Sequence, residues 1–149
     1  MLSALLGLLV LIEGQIIYSV NQDIMVKTNT IAHTNIPILN KAHKVKLAVV
    51  QVQQWLTDIS ATRGLDGLND GFDEAENNAE LFYTLISDLK SLDPARTDRY
   101  QKMNVAFTNY YDTGKKMAEA YVKDGPAAGN KLMASFDAAA ERLDRKSVV

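Results

Sequence analysis

The apolar pattern of this chain predicts an all-α protein: an up-down-up-down antiparallel four-helix bundle with a long first helix continuing from a transmembrane segment. Three observations carry that expectation. Apolar residues recur at alternating spacings of three and four through four long runs, which keeps them on one side of a helix. Short stretches containing Gly, Asp and Pro separate the runs, as turns between antiparallel neighbours require. No strand signal interrupts them.

Composition sets the limits. At 149 residues the chain is about one domain, long enough for a real core. A net charge of -2 and the lack of a basic block argue against nucleic acid as a partner. The absence of cysteine excludes disulfides, thiolate zinc sites and attached c-type haem.

The N-terminus stands apart. Leu2 to Ile12 is apolar except for Ser3 and Gly7, and a weaker apolar stretch broken by Glu13 and Gln15 runs on to Val20. A membrane-spanning helix needs about 20 mostly apolar residues and a signal-peptide core about 7–15. There is no basic leader and no small-x-small cleavage site. Residues 1–20 are therefore expected to be the outer part of a transmembrane helix, in preference to a buried core helix. Glu13 is costly in hydrocarbon unless it lies near an interface or is paired. Residues 21–149 form the bundle.

The first bundle helix is expected to run to about Arg63, with Pro37 as a kink or local break. Its core stripe is Ile38, Ala42, Val45, Val49, Val52, Leu56 and Ile59. Gly64 to Gly71 supplies a turn. The second helix, about Phe72 to Leu92, repeats the spacing with Phe72, Ala75, Ala79, Phe82, Ile86 and Leu89. Asp73, Glu74, Glu76 and Glu80 open it, where acids favour the positive end of the helix dipole. Asp93-Pro94 is a helix-start signal, with Asp93 available as a cap. The third helix has the cleanest stripe: Tyr100, Met103, Phe107, Tyr110, Gly114, Met117 and Tyr121. Asp124-Gly125-Pro126 marks a stop and restart. The fourth helix carries Gly129, Leu132, Phe136, Ala139 and Leu143.

Lengths add one expectation. The first helix from Val20 to Arg63 would reach about 65 Å, while the fourth, from Pro126 to Val149, reaches about 36 Å. The fourth helix is thus expected to be truncated, leaving the membrane-proximal part of the first without its partner.

The chemistry of catalysis is hard to find. His33 and His43 lie ten residues apart on different sides of a helix, and no Glu-x-x-His pair supports a di-iron bundle site. No nucleophile elbow, phosphate-cradling glycine loop or Walker-type lysine occurs. No enzyme activity, metal or cofactor is expected. Gly114 costs about 1 kcal/mol relative to alanine within its stripe, so it marks either a close helix crossing or a cavity admitting a ligand. Gln53, Gln54, Trp55, Asp58 and Arg63 crowd one segment where a purely structural helix needs only solvated charge. They mark either surface decoration of a helix end or a small-molecule site. The candidate ligand residues are Gln54, Trp55, Asp58 and Arg63, together with Tyr83, Tyr110 and Asn130 from neighbouring helices.

Three features carry a family resemblance. The first is the apolar N-terminal helix entering a long helix broken at Asn35-Ile36-Pro37. The second is the segment Gln51 to Gly64, and the third is Tyr110 to Leu143. Across nearly its whole length the chain resembles the extracytoplasmic four-helix-bundle sensor of bacterial methyl-accepting chemotaxis proteins and related transmembrane receptors. The resemblance implies a homodimeric receptor in the bacterial inner (cytoplasmic) membrane, with the bundle in the periplasm or extracellular space. Ligand binding near the membrane-distal end would shift one helix against another. It also implies a linker module and a signalling helix beyond a second membrane helix.

In amino-acid-sensing members, arginines of the first bundle helix hold the ligand carboxylate. Arg63 corresponds in position and could do so through bidentate hydrogen bonds, but it stands alone. The amides, indole and acid of Gln53 to Asp58 suit a polar or cationic solute. Two functions therefore stand side by side. One is a sensor of an unidentified small molecule. The other is a ligand-free structural or partner-binding bundle, as in receptors that sense through a periplasmic binding protein.

Overall fold

The computed structural model describes residues 2–147, with side chains described for residues 6–146. The described residues are all-helical, without a strand. The helices are α1 (Leu2–Thr30), α2 (Ile36–Thr62), α3 (Gly71–Leu92), α4 (Thr97–Asp124) and α5 (Pro126–Ser147), with a π-helical turn at Ile31–Asn35 and short 3-10 turns at Leu65–Gly67 and Pro94–Arg96. The chain divides into two units, Met1–Leu39 and Asn40–Val149.

The first unit is dominated by α1. Leu8, Leu9, Val10, Leu11 and Ile12 are consecutive and all exposed. At about 100° per residue they circle the helix, so its apolar surface is not confined to one stripe. Among the described residues no helix is long and apolar enough to cross a membrane. Met1, the first residue of the expected membrane segment, lies outside the described residues.

The expected break at Pro37 falls a few residues earlier. Ile36 donates its N–H to the Ile31 carbonyl, the i to i−5 bond of a π turn. Pro37 is the second residue of α2, has no N–H, and its ring crowds the carbonyl four residues back, at His33. Widening the preceding turn relieves that conflict. Thr30 adds to it by donating its hydroxyl to the Val26 carbonyl at 2.9 Å, a bond that bends helices.

In the second unit, α2 buries Val45, Ala48, Val52, Leu56 and Ile59. Ala42 is exposed and Ile38 and Val49 are only half-buried, so of the expected stripe Val45, Val52, Leu56 and Ile59 reach the core, with Ala48 beside them. From α3 come Ala75, Ala79, Phe82, Leu85, Ile86 and Leu89; Phe72 is half-buried. Every member of the α4 stripe is buried, from Tyr100 to Tyr121. α5 contributes Phe136, Ala139 and Leu143. Full burial of each large apolar side chain contributes about 1.5–3 kcal/mol.

Specific contacts fix the neighbours. Lys41 donates to Asp88 at 2.6 Å between α2 and α3. The rings of Phe82 and Phe107 stack at 3.6 Å between α3 and α4, and those of Tyr110 and Phe136 at 5.0 Å between α4 and α5. Gly114 resolves toward close packing: a Cβ there would lie 2.6 Å from the Phe136 ring and 2.8 Å from a Leu56 methyl. No side chain larger than hydrogen fits between α2, α4 and α5 at that level.

The ends of α4 also differ in detail from expectation. Asp93 does not cap the backbone. Its carboxylate instead accepts from the Tyr100 hydroxyl at 3.0 Å and from Arg96 Nε at 3.3 Å, leaving a 3-10 turn with Pro94 in its first turn to start the helix. At the other end Gly125 takes φ +81°, which permits the stop before Pro126 restarts the chain as helix.

Candidate ligand-binding site

The candidate residues separate into distinct surroundings. Gln54 and Asp58 lie on the outer side of α2, away from its buried stripe. They share an open groove of about 430 Å³ with Val50, Gln53, Thr57 and Ala61. All the lining residues come from α2. Gln51 donates from its side-chain amide to Gln54 Oε1 at 3.3 Å on the exposed surface. Trp55 is half-buried, and its main-chain carbonyl lies beside Gly71 at the start of α3.

Arg63 bonds to the main chain of α4. It sits one residue past α2 in a left-handed conformation, φ +58°. Its Nε donates to the Tyr121 carbonyl at 3.1 Å and its terminal nitrogen to the Val122 carbonyl at 3.5 Å. These are carbonyls of the last turn of α4, at the negative end of the helix dipole; that of Tyr121 also accepts from the Gly125 N–H at 3.1 Å, while Pro126 has no N–H to offer that of Val122. The guanidinium therefore caps α4. Asn130 belongs to the same end of the unit, where its Oδ1 accepts from the Tyr121 hydroxyl. A Cβ on Gly129 would run into the Tyr121 ring, so the α4–α5 hairpin closes tightly around that tyrosine.

Tyr83 and Tyr110 lie elsewhere. Tyr83 shares a hydrogen bond of 3.1 Å with the Thr108 hydroxyl and sets its ring edge against Phe107. It is twelve residues along α3 from Gly71, about 18 Å from the turn beside Trp55. Tyr110 is buried and donates to the Val49 carbonyl at 3.4 Å, and burial pushes its phenol well above the usual tyrosine value. Tyr111, on the half-exposed side of α4, is pushed up to about 12 by burial and by the negative charges of Glu76, Asp112 and Glu80 as well as neighbouring Tyr83.

The structure thus joins Arg63, Tyr121 and Asn130, keeps Gln54 with Asp58, and separates Tyr83 and Tyr110 from both. Among the described residues no buried side-chain polar atom lacks a partner, so no orphaned group is aimed into an interior cavity. None of the described residues forms a group of three His, Asp or Glu placed to hold a metal ion. What chemistry remains free is amide and carboxylate on the outer face of α2, able to hydrogen-bond a polar solute or attract a cation. Sequence reading overlooked the exposed Leu47, Val50, Thr57 and Ala61 beside them. Their own three-four spacing, offset from the core stripe, was the available signal. No protein-family model, curated protein or solved structure matches the chain.

Proposed function

We propose that this chain is the extracytoplasmic sensor of a membrane-anchored bacterial receptor of the methyl-accepting chemotaxis type. It binds a small polar or cationic solute at the Gln54–Asp58 groove, with Trp55 beside it, and has no enzymatic activity. It works as a homodimer on the inner membrane, with the bundle outside it and α1 as part of the anchor. The observation that carries the reading is the exposed apolar surface that runs all the way round α1 over Leu8–Ile12. A helix of that kind finds its partner in a large core or in lipid. Leu6–Ile17 covers only about 18 Å of a hydrocarbon layer about 30 Å thick. The anchor therefore draws on more chain than this stretch.

An up-down-up-down order of α2 to α5 is supported by paired contacts. Lys41 meets Asp88 while Ile59 meets Gly71, so α2 and α3 are read as antiparallel. Tyr83 meets Thr108 while Lys90 meets Gln101, giving the same reading for α3 and α4. A ligand at the outer face of α2 would act by shifting that helix against its neighbours, with a coupling of about 1–3 kcal/mol.

The test has two readouts on the whole chain. Expressed in a bacterium, it should stay with alkaline-washed membranes, and Leu9→Asp with Val10→Asp should release it. Purified in detergent, it should show a saturable rise in melting temperature with one or more polar metabolites or amines, lost in Asp58→Ala. A chain recovered wholly from the soluble fraction would sink the anchor. Failure of all acids, amines and sugars to stabilise it would sink direct sensing.

A further inference from the structure

Three Asp–Gly bonds occur in the chain: Asp66–Gly67, Asp70–Gly71 and Asp124–Gly125. At such a bond the glycine nitrogen can attack the side-chain carboxyl of the preceding aspartate, because no Cβ shields it. All three lie at turns or helix ends, yet the fold treats them differently. Gly71 is buried, and a Cβ there would lie 2.7 Å from Ile59 and 2.8 Å from the Trp55 carbonyl. The Asp70 carbonyl accepts from the Glu74 N–H at 3.0 Å at the start of α3. Gly125 is buried too, and its N–H donates to the Tyr121 carbonyl at 3.1 Å. Asp66 and Gly67 are both exposed, in a 3-10 turn of only 3 residues. Nothing lies within 4 Å of the place a Cβ on Gly67 would take.

We propose that Asp66–Gly67 is a site of spontaneous covalent modification, where the folded chain converts Asp66 to isoaspartate while the other two Asp–Gly bonds stay protected. The Gly67 nitrogen attacks the side-chain carboxyl carbon of Asp66, and a C–N bond closes a five-membered succinimide ring. The amide proton and the carboxyl OH leave together as water, and nothing is oxidised or reduced. Water then adds to one of the two ring carbonyls. Opening at the side-chain carbonyl restores aspartate. Opening at the main-chain carbonyl leaves Gly67 linked through the former side chain, which is isoaspartate.

The turn favours the product in two ways. Asp66 is held at φ +54° and ψ +29°, the left-handed region that disfavours an L side chain. Isoaspartate carries its methylene in the main chain, which releases the residue from that restriction. Rearrangement here also disturbs little of the core. Leu65 and Leu68 on either side are exposed, and the bonds nearby are surface ones, Leu68 N–H to the Leu65 carbonyl at 3.0 Å and the Thr62 hydroxyl to the Leu68 carbonyl at 3.2 Å. At Asp70 or Asp124 the same ring has to break the first turn of α3 or the last turn of α4. The chemistry needs only water, so it holds whether or not the chain is a receptor.

The test ages the whole purified chain at neutral pH and body temperature, with samples taken over weeks. Trypsin then releases residues 64–90, holding Asp66 and Asp70, and residues 124–131, holding Asp124. Electron-transfer fragmentation tells isoaspartate from aspartate at each position. Isoaspartate should build up at Asp66 several-fold faster than at Asp70 or Asp124, with heavy oxygen entering the product in isotope-labelled water. In urea the three positions should converge, since the protection comes from the fold. No isoaspartate at Asp66, equal rates in the folded chain, or the same preference in urea would overturn the proposal. Asp66→Asn, a residue suited to the left-handed region, should close the same ring with loss of ammonia and yield aspartate and isoaspartate. An amide still intact at the end of the incubation would count against the site.

Discussion

Arg63 donates from its side chain to the main-chain carbonyl of Tyr121 at 3.1 Å, joining the end of α2 to the end of α4. The bond is a second one to a carbonyl that already accepts from the Gly125 N–H, and it places positive charge at the negative end of the helix dipole. It also holds a non-glycine residue at φ +58°.

Replacing Arg63 should separate those two effects. Arg63→Ala loses the cap and keeps the strained backbone, at an expected cost of about 1 kcal/mol given the exposure of the side chain. Arg63→Gly loses the same cap but relieves the left-handed strain, so it should be more stable than the alanine variant by about 1 kcal/mol. Urea unfolding of both variants measures the difference. Equal stabilities would mean that residue 63 stores no strain.

Gly114→Ala should destabilise the bundle by about 1–3 kcal/mol, although alanine is the better helix former by about 1 kcal/mol. The added methyl has no room between Phe136 and Leu56. Phe136→Leu in the same chain should recover part of the loss, and a double-mutant cycle in thermal unfolding measures the coupling. Additive effects of the two substitutions would contradict the close crossing.

Tyr111 makes the alkaline limb of stability informative. Its phenol rises from an ordinary value of 10.0 to about 12 in the folded chain. Between those values the unfolded chain releases the proton while the folded chain holds it. Stability from this group is therefore complete below pH 10 and declines as the pH rises through about 12. Tyr110, raised by burial, adds in the same direction. Tyr111→Phe should flatten the decline in melting temperature over that window, read against tyrosinate absorbance. An unchanged slope would show that other groups govern it.

Pro37→Ala restores an N–H that can reach the His33 carbonyl, so the π turn at Ile31–Asn35 should tighten toward regular α-helix. Amide hydrogen exchange across residues 31–37 should slow. For a receptor of the proposed kind, signalling would change while ligand affinity stays nearly intact. Persistence of rapid exchange would place the cause of the wide turn elsewhere, Thr30 being the next residue to replace.

Much of the helical architecture was legible in sequence, for reasons visible in particular residues. The α4 stripe from Tyr100 to Tyr121 was read without error because every member is buried and each lies three or four from the next. Gly125-Pro126 marked its stop because the backbone there requires a positive φ and then a residue suited to a helix start. The proposed ligand cluster was less legible. Gln54, Trp55, Asp58 and Arg63 are close in sequence, yet the helix turns them to different sides, and Arg63 is drawn to the carbonyls of α4.

Sequence by itself determined the helices, their turns and the buried side of each, because periodicity and backbone chemistry act over a few residues. Tertiary structure decided what the polar side chains do. Whether Gly114 opens a cavity or admits a ring, and which carbonyls the Arg63 guanidinium reaches, depends on groups tens of residues away. Phe136 and Tyr121 answer those questions, and only packing brings them within reach.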